Sequence, residues 1–333
     1  MRTLAAALIV VALFGCGSKP QPELFICVWA DYLPDDTVKA FEKEQNCRLV
    51  VAYFSSSDQI KNAVVGGQGG YDLVWPSDDL MPMLVAAGGL EPIDESKLPN
   101  LKNLAERWRK DVKYGVPYSW GTTGIAVDTE KIAGKIDSWA ALWDPKYKPI
   151  SMLDDAREAF AAALRLAGKS GNTTEPEAVE AAKKKLIDQK QHLLPYDSSP
   201  KTKLLAKGVS LCQCFSGDAL QAANEGAKIA YVIPKEGGTL WADFMSIPKG
   251  AKNRELAHRF IDYILRPEVA AHITNDKGYA TPNEAARAKI DAELLRNPIV
   301  FPSDDDLKRC ERLTDIGKAR QAIEDGWAEV RRK

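Results

Sequence analysis

The sequence has little of what metal and nucleophile chemistry needs. Its three histidines, His192, His258 and His272, stand far apart and show no metal-ligand spacing. No Cys-x-x-Cys occurs among its six cysteines. Cys16 belongs to an N-terminal signal, and the other five, Cys27, Cys47, Cys212, Cys214 and Cys310, are an odd number. Cys212 and Cys214 alternate along one strand-like run, so they share a face and are badly placed to bridge. Buried free thiols fit this usage better than a disulfide framework. Neither sign of charge dominates: 45 Lys and Arg face 46 Asp and Glu, a formal net charge of -1. Nothing global therefore points to nucleic acid. No apolar run beyond the first residues is long enough to cross a bilayer. Internal repeats and low-complexity blocks are also missing. If two α/β lobes are present, the chain is expected to cross between them more than once.

At the N-terminus, Arg2 is followed by an apolar run from Leu4 to Phe14, too short for a mature spanning helix. Leu13-Phe14-Gly15-Cys16 then reads as a lipoprotein signal over 1–15, with Phe14 bulky for its place. Cleavage before Cys16 leaves a thiol and an amine for acyl chains, and two or three chains anchor stably where one does not. Residues 16–23, with Ser, Lys and two prolines, read as a lipidated tether. The protein is thus expected outside the cytoplasm, on a bacterial membrane surface. The remaining chain is long enough for two domains, and the hydrophobic content of 45% is that of an ordinary globular protein.

From Leu24 the pattern alternates. Leu24–Val28, Arg48–Phe54 and Tyr71–Trp75 read as strands, separated by helical periods over 35–44 and from a Ser57 cap to Gly66. This predicts a parallel sheet with helices on both faces. Tyr118–Val127 is extended. Helices are expected over 156–167, 176–189 and 199–206, then strands over 209–215 and 227–233, an extended run from Trp241 to Ile247, and a periodic helix over 253–265.

One tetrapeptide pattern occurs twice, each time just after an apolar run: Trp29-Ala30-Asp31-Tyr32 and Trp241-Ala242-Asp243-Phe244. An indole face beside a carboxylate suits an organic ammonium, the acid accepting a charged hydrogen bond and the ring covering methylenes. Two such units meeting in space suit a molecule with more than one amine. Ligands of α/β sheets bind at the carboxyl ends of strands, where Pro76-Ser77 and Phe215-Ser216-Gly217-Asp218 also fall. Asp155 and Glu158 open a helix three residues apart. They read as a capping box and, at a helix mouth in a cleft, as ligand acids as well; a glycosidase pair needs an apolar pocket for its acid that a sequence does not reveal, and no enzyme is expected.

On these segments the chain resembles the periplasmic spermidine/putrescine-binding proteins of polyamine ABC importers. The resemblance runs nearly the whole mature length. It is carried by Trp29-Ala30-Asp31-Tyr32, by Gly70 through Ser77, by Pro117-Tyr118-Ser119-Trp120-Gly121 and by Leu153 through Glu158. It continues through Gly171-Asn172-Thr173-Thr174, Pro234 through Gly238, Trp241-Ala242-Asp243, Leu265 through Ala270 and Gly278 through Asn283. The resemblance implies an α/β, two-lobed type II periplasmic-binding-protein fold, with mixed sheets flanked by helices and a ligand cleft between lobes. The lobes would be 24–121 with 242–309, and 122–241 with 310–333. By motif, the first lobe would offer Trp29, Asp31, Tyr32, Ser77 and Tyr279, the second Asp155, Glu158, Phe215 and Asp218, and the crossover Trp241 and Asp243. Putrescine and spermidine would be the ligands, an ABC permease the partner, and the protein a monomer without cofactor or metal.

Several positions depart from the family pattern. Ala30 stands for a Thr of spermidine binders, Phe215 for a Trp, Asp79 for a stacking Tyr, and Leu313 lies near a ligand-contacting Gln. Asp31 and Asp218 look like the putrescine-preferring branch, whereas Asp155 and Glu158 look like the spermidine branch, so both ligands are expected to bind. Thiamine binding, a carboxylate-pair hydrolase and a lipoprotein acting through protein contacts are the alternatives.

Overall fold

The computed structural model describes residues 21–332 apart from 55, 68 and 111. The leader over 1–15 and Cys16 lie outside the described residues. The first lobe opens with β1 (Glu23–Trp29), α1 (Asp35–Gln45), β2 (Arg48–Phe54), α2 (Ser57–Val65) and β3 (Leu73–Val74). β1 lies between β2 and β3, and both pairings are parallel. This is the alternation the hydrophobic period predicts. Leu24, Ile26 and Val28 share one face of β1 and are fully buried, as is Phe41 of α1. α1 begins after Pro34 with two aspartates in its first turn and ends at Asn46 in the left-handed conformation, a stop that residue tolerates.

Two local readings change. The cap of α2 is Ser56, whose hydroxyl accepts from the Gln59 amide at 3.4 Å, not Ser57. β3 is shorter than 71–75. Only Leu73 and Val74 pair with β1, and Pro76 has no amide to carry the ladder on. Asp72, just before it, is a buried staple. Its carboxylate accepts from the amides of Phe25, Lys252 and Asn253 at 3.0, 2.9 and 2.8 Å.

Short helices α3 (Met81–Ala86) and α4 (Glu106–Arg109) lead to β4 (Val116–Asp128), in which every residue is buried. Val116, Tyr118 and Trp120 belong to the first core, Ile125 and Val127 to the second. The second lobe adds β5 (Ile150–Ser151), α5 (Ala156–Leu166), α6 (Pro176–Gln189), α7 (Pro200–Leu205), β6 (Leu211–Phe215), α8 (Ser216–Asn224) and β7 (Ile229–Val232). β8 (Thr239–Met245) then runs back antiparallel along β4, from Thr123 opposite Thr239 to Val116 opposite Met245. The first lobe is completed by α9 (Arg254–Ile264), α10 (Pro267–Lys277), α11 (Ala292–Leu295) and α12 (Asp304–Arg309). β9 (Glu311–Arg312) pairs with β8, and α13 (Ala319–Arg332) closes the second core through Ile323, Trp327 and Val330. The larger sheet thus runs β5-β6-β4-β8-β9, with β7 also on β4. The five described cysteines are free, four of them buried.

Candidate functional site

A row of rings crosses the face where the lobes meet. β1 ends at Trp29, and the chain turns sharply at Asp31, whose φ of 58° is a left-handed conformation that aspartate visits more readily than most. That turn brings Tyr32 beneath the sheet end. Its phenol donates to Asp243 Oδ2 at 2.6 Å, and the Tyr118 phenol fixes its backbone by donating to the Tyr32 carbonyl at 2.6 Å. Tyr279 follows the glycine that caps α10. Its ring lies 4.8 Å from that of Tyr32 and 5.7 Å from that of Trp241, which meets Phe215 edge-on at 5.9 Å. Two glycines make room. A Cβ on Gly121, which pairs with Trp241 across β4 and β8, would lie 2.5 Å from Trp241 Cζ2; one on Gly217 would lie 1.9 Å from Tyr279 Cε1. Tyr279 therefore packs directly on the first turn of α8, and Gln221 of α8 donates to the Lys277 carbonyl at 2.8 Å. These contacts join the two lobes.

Carboxylates line this row. Asp243 is buried, and that burial pushes its carboxyl up to about 7. The phenol of Tyr32 pulls it down, while Asp78 and Asp79 push it further up. Asp218, in the first turn of α8, is also pushed up to about 7 by burial, with Lys201 opposing and the negative charge of Asp31 adding. Asp31 itself is largely exposed, 3.8 Å from the Lys201 ammonium, which pairs more closely with Glu225 at 2.8 Å. Ser77 bridges to Asp243 through the backbone, and its hydroxyl donates to Asp79 at 2.6 Å.

Beyond Ser77 the acids have guanidinium partners. Arg312 donates to Asp78 at 2.8 Å. Arg320 donates to the Asp79 carbonyl at 3.1 Å and lies 3.4 Å from its carboxylate. Asp155 caps α5 by accepting from the Glu158 amide at 3.0 Å. Its carboxyl is raised, chiefly by burial and next by Asp79, with Arg320 opposing.

Two of the expected ligand residues stand apart from the rings. Trp29 donates its indole N–H to the Trp75 carbonyl at 3.0 Å and packs edge-on against Phe54. Glu158 does not complete a capping box. Its carboxylate instead accepts from Thr123 and Thr239 on β4 and β8, at 3.0 and 2.8 Å. Burial, then Asp155, pushes it up to about 7. Lys201, Arg312 and Arg320 are the charged groups that sequence reasoning did not find. No local pattern marks their pairing with Asp31, Asp78 and Asp79, each more than 100 residues away. Among the described residues no group of acids, histidines and cysteines is arranged to hold a metal ion, and no helix is long and apolar enough to cross a membrane.

Comparison with known proteins shows the family. Residues 36–302 match the model of a family described as bacterial extracellular solute-binding proteins. The spermidine/putrescine-binding periplasmic protein of Salmonella typhimurium is 34% identical over 337 residues, spanning 98% of this chain and 97% of that one. The putrescine-binding periplasmic protein PotF of Escherichia coli is 33% identical over 329 residues, spanning 91% and 89%. A solved structure described as a putative spermidine/putrescine ABC transporter from Listeria monocytogenes superposes with a TM-score of 0.88 at 33% identity, covering 93% of this chain and 99% of that one.

Proposed function

Because this chain belongs to the bacterial extracellular solute-binding protein family, we propose that its interlobe cleft captures putrescine and spermidine outside the cytoplasm and presents them to an ABC permease. The observation that carries this reading is the buried Asp243, held by Tyr32, whose ring meets that of Tyr279, which in turn meets Trp241. Tyr32, Phe215, Trp241 and Tyr279 line the methylene chain. Asp31 and Asp218 hold one ammonium, Asp243 and Ser77 the other, and Asp155 lies further along. Trp29 and Glu158 shape the walls.

The magnitudes suffice. A hydrogen bond to a charged group is worth about 1.5–3 kcal/mol, and a desolvated cation–π contact about 2 kcal/mol. Three acids and two or three rings thus reach micromolar affinity, about -8 kcal/mol, after the cost of association. Without a cation the clustered acids repel one another and oppose closure. A bound diamine removes that repulsion, which is the differential affinity a ligand needs to favour the closed form. The hinge is the β4–β8 ladder, with lobes of 24–121 and 242–309, and of 122–241 and 310–333.

Calorimetry with putrescine, spermidine, thiamine and ferric citrate tests the reading. Stoichiometric micromolar binding of either amine supports it; binding of thiamine or ferric citrate with neither amine overturns it. The protein works as a monomer without cofactor, metal or nucleic acid, anchored through acylated Cys16. Replacing Cys16 by Ser then moves it from the membrane to the soluble fraction.

A further inference from the structure

The acids of the cleft succeed one another in order. Ser77 bridges to Asp243 through the backbone and donates to Asp79 at 2.6 Å, and the Asp79 carboxylate lies 3.4 Å from Arg320; the same neighbours raise one another's carboxyls, Asp79 those of Asp243 and Asp155. The near half, Asp31, Asp218 and Asp243, has one ammonium beside it, that of Lys201, whose shorter ion pair is with Glu225. At the far half, the chain supplies its own cations. Arg312 pairs with Asp78. Arg320, whose side chain is only 14% exposed, is fixed by Glu324 at 3.1 Å, by the Asp79 carbonyl and by the Asp79 carboxylate, and Asp155 lies in its field.

We propose that Arg320 occupies the place where a third ammonium would sit, so that the cleft selects amines carrying two positive charges over those carrying three. This rests on the polyamine reading and deepens it. A diamine uses the near half, where the nearest described cation, Lys201, stands 3.8 Å from Asp31 and pairs more closely with Glu225. A triamine such as spermidine must bring its extra ammonium up to a buried guanidinium. It then either repels that group or displaces it from Asp79, leaving the guanidinium without its partner. The selection is by exclusion, and it needs no contact between Arg320 and the bound diamine.

Calorimetric titration of the full chain with putrescine and with spermidine provides the test. The wild type is expected to favour putrescine by about tenfold or more, the effect of one like-charge juxtaposition. Arg320→Met, which keeps length and removes charge, is expected to move the ratio of the two dissociation constants toward spermidine by about tenfold. Asp79→Asn removes the carboxylate charge facing Arg320 while its bonds to the Asp79 carbonyl and Glu324 remain, and is expected to move the ratio the other way, a sign that general damage to the fold would not produce. Equal affinities in the wild type, or the same fold-change for both amines in Arg320→Met and Asp79→Asn, would overturn the role of Arg320 while leaving polyamine binding intact. Failure of the wild type to bind either amine would overturn both.

Discussion

Gly217 lies under the ring of Tyr279, so close that a Cβ there would be 1.9 Å from Tyr279 Cε1. One residue belongs to the helix that starts the second lobe's rim, the other to the turn after α10. Their contact is a measure of closure. Gly217→Ala should leave α8 intact, since alanine favours helix, yet hold the lobes apart. Putrescine affinity should fall by about fivefold or more, the lower end of the cost of overpacking. The melting temperature of the ligand-free protein should hardly change. Unchanged affinity would show that Tyr279 swings aside freely.

Asp243→Asn keeps the shape of the site and removes its central charge. The Tyr32 phenol retains an acceptor, so folding survives, but the ammonium loses a charged partner worth about 1.5–3 kcal/mol, or roughly 10- to 150-fold in affinity. Tyr32→Phe should cost less, because the carboxylate stays. Calorimetry with putrescine ranks the two.

Binding should weaken on acidification. Asp218 and Asp243 are held at about 7, above the usual 3.8, mainly by burial. A carboxylic acid cannot pair with an ammonium, so affinity should be higher at pH 8 than at pH 6, by up to about tenfold per group for each unit below 7. Binding at pH 6 should release protons, seen as a buffer-dependent enthalpy. For the ligand-free protein the sign is opposite. The folded state holds these protons more tightly than the unfolded one. Their stabilisation is fully present below the usual carboxylate pKa and is lost as pH rises through about 7. The rise in melting temperature given by putrescine should therefore grow from pH 6 to pH 8.

Asp155 and Glu158 should separate in a stability assay. Glu158→Ala strips an acceptor from Thr123 and Thr239 and a counter-charge from buried Arg165, which donates to Thr239 at 3.0 Å. Breaking such a buried arrangement costs about 3–5 kcal/mol. Asp155→Ala loses a helix cap, about 1 kcal/mol. Urea denaturation distinguishes them; equal losses would mean that Glu158 is not a strut between α5 and the hinge strands.

How far the sequence could be read depends on range. The β1-α1-β2-α2 alternation is written in local periodicity, and the Trp-Ala-Asp pattern marks Asp243 and Trp241 by their own chemistry. Tyr279 carries no such mark: its role came from resemblance, because a lone tyrosine after a helix has no local signature. Ser56 and Ser57 are both capping residues, and only backbone geometry chooses between them. Glu158 looks the same whether it caps a helix, binds a ligand or, as here, accepts two hydroxyls from distant strands. Arg312 and Arg320 meet Asp78 and Asp79 across 234 and 241 residues, a pairing fixed by how the lobes shut.

β4 places one uninterrupted stretch of backbone in both hydrophobic interiors. The larger sheet is common property, with no seam at which one half of the molecule stops and the other starts. Loss of the β4–β8 ladder would thus undo both halves together, and a nick within 116–128 should abolish the fold outright instead of releasing two separate globules.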